Sequence, residues 1–191
     1  MEFKIVVIGA SLGGLNAMQV ILSALPKNLP VAVAIAQHRH KSSDGELIAC
    51  LQETSQLPVK EAEDKQPIIP GIVFLAPADY HLLVEPGYFA LSTDAPVTFA
   101  RPSIDVLFES TADVYGAQVI GIILTGASSD GAKGLAKIQA YGGTVIVQKP
   151  DTAECPVMPE AAIKAAKNPQ ILPLAEIVPF VTSQIKSQVL I

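Results

Sequence analysis

The stretch Lys4 to Leu15, K-I-V-V-I-G-A-S-L-G-G-L, decides how the chain is read. Ile5, Val6, Val7 and Ile8 form a β-branched apolar run, the pattern of a strand buried in a parallel sheet. The run ends at Gly9, and Ser11 follows, flanked by Gly9 on one side and Gly13 and Gly14 on the other. Leu15, Met18, Ile21, Leu22 and Leu25 then recur at helical spacing. Strand, glycine turn and helix present one hydroxyl among small neighbours, which lets another molecule come close. The helix N-terminus adds unpaired N–H groups that suit an anion formed there.

Three readings of this turn compete. A dinucleotide fingerprint requires G-x-G-x-x-G, and Ser11 stands where the second glycine would let a pyrophosphate approach. Gly9-Ala10-Ser11-Leu12-Gly13 satisfies G-x-S-x-G, the pattern of a nucleophile held on a sharp turn. In the third reading Ser11 only caps the helix. The rest of the chain has to decide.

Working outward, residues 31–36 read as a second apolar strand, ending at Gln37-His38-Arg39-His40. Residues 44–51 read as a helix capped by Ser42 or Ser43, with Asp44 at its terminus, and 58–62 as a short strand. Residues 72–75, 81–85 and 88–92 are short runs separated by turn dipeptides, which predicts antiparallel hairpins at the sheet edge or covering it. Arg101-Pro102-Ser103 opens a helix with Ile104, Leu107, Phe108 and Thr111 inward and Asp105 at the positive end of its dipole. Residues 119–124 form a third long strand, ending at T-G-A-S-S-D-G, where Ser128 and Ser129 shape the loop or cap the next helix. After that helix come a strand over 144–147, a helix over 159–167, an edge strand over 171–174 and a closing helix over 175–187. Alternating strands and helices predict an α/β fold: a doubly wound, mainly parallel sheet, helices on both faces, an antiparallel hairpin at one edge. Residues 1–191 are read as one domain.

Half of the 191 residues are apolar and 16% are charged, enough to cover both sheet faces. A net charge of −5 gives no electrostatic case for nucleic acid or anionic lipid. Every apolar run is shorter than a membrane span, and Met1 leads straight into a strand, so no membrane insertion, no leader and a cytoplasmic location are expected. Cys50 is expected in the core and Cys155 in a loop, without metal-ligand spacing; the histidines lack it too, so no metal and no cofactor are expected.

Ligands of such a sheet bind at the carboxyl ends of its strands. Ser11 follows the first strong strand, His38 and His40 the second, and Asp130 a later one. A serine hydroxyl needs a base to become a nucleophile, neutral imidazole serves near neutral pH, and a carboxylate fixes its tautomer. The order Ser, His, Asp differs from the Ser, Asp/Glu, His of α/β-hydrolases, so the motif does not assign that fold. His40 is the alternative base. His81, in the hairpin region, reads as a surface or edge residue, and Arg101 as a carboxylate ligand or a structural ion pair.

The sequence resembles the catalytic domain of the CheB family, the protein-glutamate methylesterases of bacterial chemotaxis. The matching segments are I-G-A-S-L-G-G from Ile8, A-Q-H from Ala36, R-P-S-I-D-V-L-F from Arg101, G-I-I-L-T-G-A-S-S-D-G-A-K-G-L from Gly121 and M-P-E-A-A from Met158. The resemblance implies a triad of Ser11, His38 and Asp130, with the backbone N–H groups of Leu12 and Ala127 holding the oxyanion. It implies hydrolysis of γ-glutamyl methyl esters on the cytoplasmic helices of chemoreceptors through an acyl-enzyme, and for many members deamidation of glutamines. No receiver domain is expected beside the matched segments, and a monomer is expected. Leu12 stands where the family commonly has threonine, Ala127 where it has methionine, Arg39-His40 where it has M-P, and Cys155-Pro156 replaces a Y-G-like pair before M-P. The readings that compete with this esterase are a non-catalytic binding module using the same turn and an esterase for another substrate.

Overall fold

The computed structural model describes residues 3–40 and 46–189, with side chains to 186. The expected helix cap at Ser42 or Ser43, and Asp44 itself, lie outside the described residues. The described residues form nine strands and six α-helices: β1 (Ile5–Ala10), α1 (Gly14–Ala24), β2 (Ala32–Gln37), α2 (Glu46–Thr54), β3 (Val59–Glu61), β4 (Val73–Leu75), β5 (His81–Glu85), β6 (Tyr88–Ser92), α3 (Ile104–Tyr115), β7 (Val119–Ile123), α4 (Ala132–Ala140), β8 (Thr144–Gln148), α5 (Val157–Ala165), β9 (Gln170–Leu172) and α6 (Leu174–Val189).

Seven strands form one sheet in the order β3-β4-β2-β1-β7-β8-β9, and every pairing in it is parallel. The chain winds outward from β1 through β2 on one side, then returns to β7 and winds outward on the other. The direction therefore reverses between β1 and β7, and a doubly wound sheet opens its crevice at such a point. One apolar layer packs Met18, Ile21 and Leu22 of α1 with Ile177 and Val181 of α6 against Val6, Ile8 and Ile35. The opposite layer packs Ile104 and Phe108 of α3, Ile138 of α4 and Ala162 of α5 against Ile5, Val7 and Ala34. β1, β2 and β7 are buried along their whole length, which is why they lack the apolar–polar alternation of a half-exposed strand.

Two local expectations are corrected. Residues 72–75 are not part of a hairpin: β4 joins the main sheet beside β2, its three residues buried on both faces. The antiparallel hairpin is β5–β6 alone, a separate two-stranded sheet. It packs on the α3 side through Leu82, Val84 and Phe89, the last of these against Phe74 with ring centroids 4.8 Å apart. The first strand also runs on through Gly9 and Ala10. Gly9 is needed there for room: a Cβ would sit 2.4 Å from Ile104 Cγ2, so its absence lets α3 come down onto the strand end.

Candidate active site

Hydrogen bonds beyond the strand ends keep three loops in step. Ser11 N–H donates to Thr125 O at 3.0 Å, His38 N–H to Ala10 O at 3.0 Å, and Leu124 N–H to Gly9 O at 2.9 Å. Ser11, His38 and Thr125 consequently leave the sheet at one level. Ser11 to Gly14 is a tight turn closed by Gly14 N–H on Ser11 O at 2.9 Å, with Gly13 at φ 77° in its third position, where a left-handed residue is required. A side chain at Gly13 would also meet Glu154, whose carboxylate lies over the turn.

Gln37 ties this turn to the next loop. Its Nε2 donates to Ser11 O and to His38 O, both at 2.9 Å. Ser11 and His38 line one cavity of about 560 Å³, together with Leu12, Leu15, Gln37 and Glu154. Among the described residues no hydrogen bond joins Ser11 Oγ to the imidazole. Apo sites often leave this contact open until substrate binds.

His38 Nε2 and Asp130 Oδ2 lie 2.7 Å apart. A carboxylate facing Nε2 sets the proton on that nitrogen and leaves Nδ1 as the acceptor. Asp130 is fully buried, and four further contacts surround it. Ile104 N–H donates to Oδ2 at 2.7 Å, while Ser103 Oγ (2.8 Å) and Asp105 N–H (3.1 Å) donate to Oδ1. Ser128 Oγ accepts Asp130 N–H at 3.1 Å and holds the loop. Asp130 therefore occupies the N-terminus of α3, where dipole and free N–H groups favour a negative charge. Burial alone would raise its pKa, but the bonds from His38, Ile104, Asp105 and Ser103 outweigh it, and the carboxyl sits below its ordinary range.

The residues around this carboxylate were not readable as a site. Ser103 was expected only to open α3, which it does as the N-cap, accepting from Val106 N–H at 3.4 Å. Its second bond, to Asp130, depends on a loop 27 residues away. His81 lies on an edge strand, β5 of the two-stranded sheet, but it is not on the surface: it is 1% exposed. Its Nδ1 accepts Ser103 N–H at 3.2 Å and its Nε2 faces Ala95 O at 3.2 Å, so it joins the hairpin to the α3 cap. Arg101 is a structural ion pair, with Nη2 2.6 Å from Asp79 Oδ1. Arg39 is almost fully buried and ion-paired to Glu61. Cys50 and Cys155 are both half-buried.

The N–H groups of Leu12 and Ala127 have no acceptor among the described residues, and both residues are exposed beside the Ser11 turn. The site thus combines a hydroxyl, an imidazole with its orienting carboxylate, and N–H donors without an acceptor among the described residues, the set that acyl transfer requires.

Asp105 gives a pH prediction. It is 4% exposed and accepts Gly134 N–H at 2.8 Å. Burial raises its pKa, the Gly134 bond lowers it, and the charges of Asp130 and Glu109 raise it again, leaving it at about 6 against an ordinary 3.8. Between these values the folded chain keeps a proton that the unfolded chain has released, so stability falls as pH rises through the window. Two pKa units correspond to roughly 3 kcal/mol at most. Asp105→Asn keeps an acceptor for Gly134 and carries no charge. It is expected to stabilise the protein by about 1–2 kcal/mol near pH 7.5 and to bring no such gain below about pH 4. Asp130 contributes with the opposite sign, its stabilisation lost in acid, and cancels in the comparison. Urea unfolding at the two pH values is the measurement; an equal gain at both would exclude burial of the charge as the cause.

No helix among the described residues is long and apolar enough to cross a membrane. Residues 6–181 match the family model described as CheB methylesterase. The chain is 37% identical over 178 residues to the protein-glutamate methylesterase/protein-glutamine glutaminase of Thermotoga maritima, covering 91% of this chain and 52% of that protein. A Leptospira interrogans protein that carries the same name provisionally is 47% identical over 178 residues, covering 93% of this chain and 92% of its own. The chain therefore spans nearly all of one relative and about half of the other. The crystal structure of the Thermotoga maritima CheB methylesterase catalytic domain superposes with a TM-score of 0.91 at 35% identity, over 96% of this chain and all of that one. The chain belongs to the CheB methylesterase family.

Proposed function

We propose that this chain, taken as a single catalytic domain over residues 1–191, hydrolyses γ-glutamyl methyl esters on the cytoplasmic helices of chemoreceptors. The observation that carries the reading is the Asp130–His38 bond at the reversal point of the sheet, with His38 and Ser11 on one cavity. Ser11 Oγ attacks the ester carbonyl while His38 Nδ1 takes its proton and Asp130 stabilises the imidazolium. The N–H groups of Leu12 and Ala127 hold the oxyanion, each such donor contributing about 3 kcal/mol of transition-state stabilisation. His38 returns the proton to the departing methoxide, and methanol leaves. A water molecule, deprotonated by the same imidazole, then cleaves the glutamyl–Ser11 ester to a glutamate carboxylate and free serine. Glutamine deamidation follows the same path with ammonia as the leaving group. The enzyme works in the cytoplasm, where these helices lie, as a monomer.

Release of labelled methanol from a methylated receptor fragment, with fluorophosphonate labelling confined to Ser11, is the expected result. A folded sample that takes no label and releases no methanol would overturn the reading. Labelling without methanol release would leave a serine hydrolase with a different ester as substrate.

A further inference from the structure

Between β6 and α3 the chain makes a two-residue turn. Val97 N–H donates to Ala100 O at 3.1 Å and Ala100 N–H to Val97 O at 2.9 Å, enclosing Thr98 and Phe99. These two have φ values of 49° and 62°. A turn left-handed at both central positions is ordinarily filled by Asn-Gly, because a Cβ is strained there. Here the positions hold a β-branched and an aromatic residue. Both are exposed, Phe99 completely, so no packing among the described residues offsets the strain. Strain of this kind persists where the surrounding structure imposes it. Arg101 supplies that constraint: its Nη1 donates to Thr93 O at 2.7 Å and Asp94 O at 3.0 Å while Nη2 holds Asp79. The result is a stiff stem carrying a bare aromatic ring.

The ring stands on the rim of the candidate active site. Phe99 and His38 line one cavity of about 300 Å³. His38 also lines the Ser11 cavity, whose rim carries the exposed side chains of Leu12 and Leu15. The imidazole thus borders two cavities, one rimmed by the leucines beside the nucleophile and one by Phe99, the second also lined by Arg39, His40, Asp79 and Arg101. An amphipathic helix presents apolar side chains along one face, which can meet apolar groups on either side of a reactive centre.

Resting on the proposed ester hydrolysis, we infer that Phe99 is a docking finger for the substrate helix. It seats against the apolar stripe of the helix that carries the glutamyl ester, and Leu12 and Leu15 take the same stripe on the far side of Ser11. A rigid aromatic anchor of this kind supplies contact area at little cost in lost rotamer freedom.

The full chain tests this with two substrates, a methylated receptor cytoplasmic fragment and p-nitrophenyl acetate, which is too small to reach Phe99 and Ser11 together. Phe99→Ala is expected to raise KM for the fragment about tenfold or more, with its kcat and the small-ester turnover changed by less than about twofold. Phe99→Leu should restore most of the loss. The double substitution Thr98→Asn with Phe99→Gly installs the pair that the turn prefers. It should raise Tm by about 2–4 °C and still lose the fragment, which separates docking from folding. An unchanged KM in Phe99→Ala, or an equal fall on both substrates, overturns the inference. So does a wild-type dimer that Phe99→Ala dissociates without changing KM, since the ring would then bind a second copy. If the wild type releases no methanol from the fragment, the ester-hydrolase reading fails and this inference fails with it. If the wild type is active and the Phe99 variants match it, this inference alone fails.

Discussion

Ser11→Ala is expected to lower receptor-ester hydrolysis by on the order of 10⁵-fold while leaving the protein as stable as the wild type. The two parts of that expectation come from different atoms of one residue. Everything Ser11 does for the fold it does through its backbone: N–H to Thr125 O, and C=O to Gly14 N–H and Gln37 Nε2. Alanine keeps all three, and the turn places no left-handed demand at this position. The hydroxyl makes no hydrogen bond among the described residues, so its removal strands no partner. A residual rate above that of free solution is expected from the N–H donors and from substrate binding alone. Thermal unfolding read beside methanol release checks both parts. A large fall in Tm would show that the hydroxyl supports the fold after all. A rate within about tenfold of wild type would remove Ser11 from the chemistry.

Asp130→Asn should cost both activity and stability. On the kinetic side the amide can present an N–H where His38 needs an acceptor, which favours the wrong tautomer; the fall in kcat is about 10⁴-fold for such a change. On the structural side the carboxylate accepts from Ile104 N–H, Asp105 N–H and Ser103 Oγ as well as from His38. An asparagine has one acceptor oxygen, and whichever way its amide is turned, one backbone N–H of the α3 terminus faces an NH₂ group. Only the Ser103 hydroxyl can rotate to compensate. An unpaired buried N–H costs about 1–3 kcal/mol. The substitution also removes a carboxyl held below its ordinary pKa, whose stabilisation is present above its unfolded value and lost in acid. The variant's deficit should therefore shrink as pH falls, which urea titrations at several pH values would reveal. A deficit independent of pH would mean that the anion is not what the α3 terminus holds.

These expectations follow the division between what could be read in the sequence and what could not. Strands such as β1, β2 and β7 announce themselves by unbroken β-branched runs, and the turn after β1 by its glycines. The rule that open α/β sheets bind at their carboxyl ends was then enough to bring Ser11, His38 and Asp130 to one rim. What stayed hidden depends on contacts between segments remote in the chain. β4 is three residues long, too short for its buried parallel character to register, and it read as part of the neighbouring hairpin. His81 looked peripheral because its hairpin did, yet its imidazole holds the N–H of the residue that caps α3. Ser103 carried a cap signal, but nothing local distinguishes a cap that also grips a carboxylate. Gly9 read as the end of a strand because glycine usually is; only the approach of Ile104 explains why it continues one.

The two bonds from Gln37 Nε2 limit how the serine and the imidazole can still approach each other. With Ser11 O and His38 O fastened to one amide, the two backbones cannot separate without breaking one of its bonds. What remains is torsion about the serine Cα–Cβ bond and a tilt of the imidazole ring. Such torsions relax in picoseconds to nanoseconds, whereas loop rearrangements take up to microseconds. In the proposed mechanism, formation of the attacking pair is therefore expected to be a rapid pre-equilibrium, too fast to set the pace of turnover.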